Sequence, residues 1–157
     1  MLKPVLQALL LADYVYQDKR TGKKIVAGIF HTLLVRQPKD SHDIETPAEP
    51  TTEPRRQIIS LPDVERSGSP YVYISLTDVR NTIQLKLRYV SLETHLALFE
   101  TGSFAVTSNS PIDIVEVFLP VPTLPPTPGV YALELLCEDE VIGAHRVVVK
   151  NVIEAER

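Results

Sequence analysis

The clearest pattern in the chain runs from Thr82 to Leu92. Ile83, Leu85, Leu87 and Tyr89 alternate with Gln84, Lys86 and Arg88. A period of two predicts a half-buried antiparallel strand with one wet face. Val130–Cys137 repeats the pattern: Tyr131, Leu133, Leu135 and Cys137 share one face, with Ala132, Glu134 and Leu136 opposite. The longest apolar stretch lies near the start, from Leu9 to Val35, and the rest of the chain is organised around it. The first strand, Val5–Tyr16, leads into it and places Leu6, Ala8, Leu10, Ala12, Tyr14 and Tyr16 on one face and Gln7, Leu9, Leu11, Asp13 and Val15 on the other. Leu and Ala also favour helix over residues 4–12, but the run continues unbroken into Tyr-Val-Tyr, which decides for a strand. A polar loop, Gln17–Lys24, turns the chain with Gly22 free to take positive φ. Ile25–Arg36 then returns as one strand, apolar on both faces. Gly28 in its middle predicts a bulge or a close approach by another group.

Further strands are expected at Arg55–Leu61, Tyr71–Val79, Ile112–Leu119 and Val141–Lys150, with Leu96–Glu100 and Phe104–Thr107 as a hairpin turning at Thr101–Gly102. About nine strands with no long helix define an all-β fold, an antiparallel β-sandwich of immunoglobulin-like or related Greek-key topology. The chain reads as a single domain over residues 1–157. Two stretches interrupt the strands. Residues 38–54 hold four prolines and five carboxylates among Ser and Thr, an acidic, flexible surface loop. Pro120, Pro122, Pro125, Pro126 and Pro128 mark an edge segment or a crossover between sheets.

Charge and composition narrow the function. The formal net charge is −4, which disfavours long-range attraction to a phosphate backbone, so no nucleic-acid partner is expected. Lys19, Arg20, Lys23 and Lys24 form the one basic cluster, read as a solvated turn. No apolar stretch reaches the ~20 residues of a membrane helix, and Val5–Ala12 is too short and too strand-like for a leader. With one cysteine, Cys137, no disulfide can close within the chain. A cytoplasmic protein without a membrane partner is the expectation.

No stretch carries a catalytic or cofactor signature. His31, His42, His95 and His145 stand apart from one another, so zinc is unsupported and no cofactor is expected. Asp40, Asp43 and Glu45 lack the glycine and glutamate of a calcium loop. Cys137 precedes Glu138, Asp139 and Glu140, whose charge opposes a thiolate, so it reads as a core residue. No serine sits in a nucleophile elbow, and no glycine pair suits a phosphate loop. Glu116 and Glu134 point outward by strand alternation. Asp13 sits among apolar residues and is expected to be largely buried, with Lys23, Lys24 or His31 as partner.

Asp13, Asp18, Gly22, Lys23, Gly28, Ile29 and Phe30 form a pattern, D-x-x-x-x-D followed by G-K-x-x-x-x-G-I-F. With it, the opening hairpin resembles the start of a family of small uncharacterised bacterial β-sandwich proteins. The proline-rich approach to Pro128–Gly129–Val130–Tyr131 and the closing hairpin extend the resemblance over most of the chain. It implies a sandwich fold and no activity. The acidic insert at 38–54 departs from the pattern.

These readings point to a non-enzymatic binding or assembly module. An apolar hairpin with two greasy faces needs a cover, and a homodimer or another protein partner supplies one. Val26, Gly28 and Phe30, with Tyr14 and Tyr16, are the expected interface residues. The rivals are a small-ligand or carbohydrate-binding sandwich, using Tyr71, Tyr73 and Tyr89, and a hydrolase with an acid pair built across strands.

Overall fold

A computed structural model of the chain describes residues 2–35, 70–121 and 124–152. The expected strand at Arg55–Leu61 and the acidic loop at 38–54 lie outside the described residues. Among the described residues ten strands form two sheets: β1 Val5–Gln17, β2 Lys24–Phe30, β3 Thr32–Val35, β4 Tyr71–Thr77, β5 Asn81–Ser91, β6 Ala97–Glu100, β7 Phe104–Ser108, β8 Val115–Pro120, β9 Gly129–Cys137 and β10 Glu140–Asn151. One sheet has the order β2-β1-β4-β8. The other has the order β3-β10-β9-β5-β6, with β7 also paired to β5. The fold is an all-β sandwich, antiparallel throughout except where β3 runs parallel to β10.

The core lies between the sheets. Leu9, Leu11, Val72, Ile74 and Leu76 from the first sheet meet Leu85, Leu87, Leu133, Leu135, Val147 and Val149 from the second. The alternation in β5 and β9 holds as the sequence predicts. In β1 the faces differ from that prediction. The pairing with β4 slips between Leu6 and Ala8, so Leu6 joins Leu9 and Leu11 on the core side. Leu6 packs tightly there: a Cβ on Gly143 of β10 would lie 2.1 Å from its Cδ2.

The predicted second strand is two strands. β2 pairs with β1 and β3 pairs with β10, so the chain leaves one sheet and enters the other at His31. Both carbonyls at this corner are held by β10. Val148 N donates to His31 O at 2.8 Å, and His145 Nε2 lies 3.1 Å from Phe30 O. An apolar run carries no local mark of such a switch, because both halves bury a face.

The hairpin expected at Thr101–Gly102 is also absent. β6 and β7 both run antiparallel to β5 and do not pair with each other. They are two halves of one edge, joined where Thr101 N donates to Leu87 O at 2.9 Å and Leu87 N donates to Thr101 Oγ1 at 3.0 Å. The proline tract does cross between sheets, from β8 to β9. At its end Tyr131 ties β9 to the preceding turn: its hydroxyl donates to Thr127 O at 2.8 Å and lies 2.8 Å from Thr127 Oγ1. The bond has the form of a tyrosine corner, a device found in β-sandwiches. Gly129, at φ 155°, leaves room for that ring, since a Cβ there would sit 3.3 Å from the Tyr131 hydroxyl. The closing hairpin turns through Glu138 and Asp139, both at positive φ (48° and 66°), the backbone of a type I′ turn.

Candidate functional site

The outward face of the β1–β2 ladder is the surface that the fold leaves unexplained. Its cross-strand pairs are Ala12 with Ile29, Tyr14 with Ala27, and Tyr16 with Ile25. Tyr14, Tyr16 and Ile29 are 50%, 53% and 55% exposed. The same face continues onto β4, where Tyr71 lies opposite Ala12 and Tyr73 opposite Leu10. It ends on β8 with Phe118, opposite Tyr73, and Glu116, opposite Ser75. Four tyrosines, two isoleucines and a phenylalanine thus sit on one side of a four-stranded sheet.

β1 outruns β4 at Ala12, and beyond that point β1 and β2 form a two-stranded arm. Its loop is built by Asp18, whose carboxylate accepts from Arg20 N at 2.9 Å and from the Thr21 hydroxyl at 2.7 Å. The Thr21 bond first, then the Arg20 bond, hold that carboxyl below its ordinary pKa. The end of the arm does not run straight on. Lys24, its last cation, holds its ammonium 5.5 Å from the ring centroid of Phe118 on the far edge strand. The cation–π contact fixes the arm against the sheet.

Gly28 and Asp13, on this arm, are neighbours across the ladder. The pairs on either side keep one register, so no residue is inserted and Gly28 is not a bulge. It is a close approach: at φ 69°, a Cβ on Gly28 would lie 2.6 Å from Asp13 Oδ2 and 3.0 Å from Asp13 Cβ. Asp13 itself is half-buried, and among the described residues it makes no hydrogen bond or ion pair. The expected partnership with Lys23, Lys24 or His31 is therefore not formed.

The five interface residues expected from sequence divide between two faces. Tyr14 and Tyr16 lie on the exposed strip. Val26 and Phe30 alternate to the other side of β2, where Phe30 packs against the core, and Gly28 holds the exposed position beside Asp13. Ile25, Ile29 and Phe118 are the members that sequence reasoning missed. The tyrosines named for ligand binding divide too. Tyr71 and Tyr73 join the strip, whereas Tyr89 is 2% exposed inside the core. Among the described residues its hydroxyl has no hydrogen-bond partner, and burial pushes it well above the ordinary tyrosine pKa.

Tyr73 donates to Glu116, and burial first, then that carboxylate, raise the Tyr73 pKa. Cys137 is buried, and burial followed by Glu138 pushes its thiol up. Among the described residues no group of three or more His, Cys, Asp or Glu could hold a metal ion, and no helix is long and apolar enough to cross a membrane. No protein-family model and no curated protein matches the chain.

Proposed function

We propose that this chain is a non-enzymatic binding and assembly module that self-associates through the outward strip of its N-terminal hairpin. The observation that carries the reading is the half-exposed set Tyr14, Tyr16 and Ile29, continuous by register with Tyr71 and Tyr73. Contiguous apolar surface of this kind marks interaction sites, and aromatic residues are enriched in protein interfaces. A second copy offers the same strip, which makes self-association the simplest cover. A bacterial cytoplasmic setting suits the one buried thiol.

Sedimentation over a micromolar concentration series tests it. The expected mass exceeds the 17.5 kDa of one chain and falls to one chain in Tyr16→Glu/Ile29→Glu, with the thermal transition kept. A wild-type chain that stays at one-chain mass throughout overturns the reading.

The four tyrosines also support a carbohydrate-binding sandwich, because an aromatic face stacks on the apolar face of a sugar ring. Glycan-array binding lost in Tyr14→Ala/Tyr71→Ala would establish that alternative.

A further inference from the structure

We infer, resting on the self-association just argued, that copies join head to tail, the β1–β2 arm of one seated on the opposite end of the next. Charge selects this arrangement. The arm carries Lys19, Arg20, Lys23 and Lys24 against Asp13 and Asp18, on a chain of formal net charge −4. It is a net positive element at one end of a net negative body. Lys19, Arg20 and Lys23 are exposed, and among the described residues none has an ion-pair partner. Two arms meeting about a two-fold axis would bring these cations together, a like-charge juxtaposition that suppresses pairing. An arm meeting the body gains instead.

The fold also says which part of the body. The arm leaves the sheet where β1 ends. The opposite end of the sandwich, where β1 begins, holds the β9–β10 turn. Glu138, Asp139, Glu140 and Glu100 gather there with Lys86 and Lys3, and the exposed Asp78 and Arg80 of the β4–β5 turn lie at the same end. Lys86 lies 2.8 Å from Asp139 and 3.5 Å from Glu100, and Lys3 pairs with Glu140. The same end exposes Val141 beside the turn and Ile112 and Ile114 ahead of β8. The arm pairs cations with exposed Tyr and Ile; this end pairs carboxylates with exposed Val and Ile. A contact between different surfaces does not close on itself and extends into chains of copies unless its rotation makes a ring.

The test uses the full chain, with sedimentation velocity at low and high salt. The arm variant is Lys19→Glu/Arg20→Glu/Lys23→Glu; the turn variant is Asp139→Lys/Glu140→Lys. Each alone is expected at one-chain mass. Their equimolar mixture is expected to associate again, because each variant's arm then meets an end of opposite charge on the other. The chain with both reversals is expected to associate again, and added salt to weaken the wild-type assembly several-fold. Should the turn variant not fold, Asp139→Asn/Glu140→Gln weakens association several-fold in its place. A wild-type dimer indifferent to the turn variants overturns the head-to-tail contact and leaves self-association standing. A wild-type chain at one-chain mass overturns both. If that single chain also sediments with phosphatidylserine vesicles and the arm variant does not, the arm's partner is a lipid surface.

Discussion

The two outward faces of this sandwich treat their apolar residues differently: the β1–β2 ladder exposes Tyr14, Tyr16 and Ile29, whereas the β9–β5 ladder keeps its own covered and the second sheet exposes Leu34, Leu98 and Val141 toward its margins. On the β3-β10-β9-β5-β6 sheet, Leu136 and Ala132 point outward and are still buried, Leu136 at 3%. Leu136 lies opposite Lys86, and Ala132 opposite Arg146. Long charged side chains lay their methylene stems over apolar neighbours and keep their heads wet. Carboxylates hold two of the cationic heads on this face: Lys86 reaches Asp139, and Arg88 reaches Glu134 Oε2 from Nε at 2.9 Å and Nη2 at 2.5 Å. On the β1–β2 ladder the outward residues face one another, Tyr16 against Ile25 and Ala12 against Ile29, with no long charged chain between them. What separates a closed face from an open one is the cross-strand neighbour, not the hydrophobicity of the position.

The sharpest way to break this comparison is to truncate one outward aliphatic residue on each sheet. Leu136→Ala is expected to cost ~2–4 kcal/mol, as for a core leucine, because its surroundings are closed. Ile29→Ala is expected to fall within ~0.5 kcal/mol, as for a surface change. Urea unfolding of both variants at a concentration where the chain is monomeric checks the contrast. Equal losses would mean that Ile29 is covered and the strip is not a free surface.

A smaller effect sharpens the same point. Glu134→Ala strands a half-buried guanidinium and is expected to cost ~1–2 kcal/mol. Glu116→Ala, on the open face, frees the Tyr73 hydroxyl to water and should cost under ~1 kcal/mol. A double-mutant cycle on Arg88 and Glu134 should return a favourable coupling, whereas a coupling of zero would make the ion pair incidental to the closed face.

Much of the architecture was legible because it is local. The alternation in Ile83–Tyr89 and Tyr131–Cys137 names the core residues of β5 and β9 without reference to any partner. The failures are all questions of pairing. Nothing within Ile25–Arg36 says that its second half bonds to β10, and Gly102 has the composition of a turn in a segment that runs straight along β5. Register was equally hidden. The slip at Leu6/Ala8 moves Leu6 to the core side, and only the β1–β4 register puts Tyr71 and Tyr73 on the strip that holds Tyr14. The two-sided apolar hairpin did point to an open face. It took the ladder to show that the open side carries Tyr14, Tyr16, Ile25 and Ile29, and that Val26 and Phe30 belong to the other.

The finest contrast is between two tyrosines, one on the open face and one in the core. Burial is the leading cause that raises both Tyr73 and Tyr89 above the ordinary value. In the unfolded chain each ionises near pH ~10; in the folded chain each keeps its proton to higher pH. Below pH ~10 both states are protonated and the contribution to stability is whole. As pH rises further the unfolded state sheds the proton first, so stability falls through that window. Tyr89 is the more deeply buried, and among the described residues its hydroxyl makes no hydrogen bond to lose. Tyr89→Phe is therefore expected to leave stability at neutral pH unchanged within ~0.5 kcal/mol or to raise it slightly, since it removes a buried, unsatisfied group. It should also remove more of the alkaline fall than Tyr73→Phe, which gives up its bond to Glu116. Denaturant midpoints measured from neutral pH to above pH 10 decide between them. A marked loss at neutral pH in Tyr89→Phe would reveal a partner for that hydroxyl, and with it a polar site inside the sandwich.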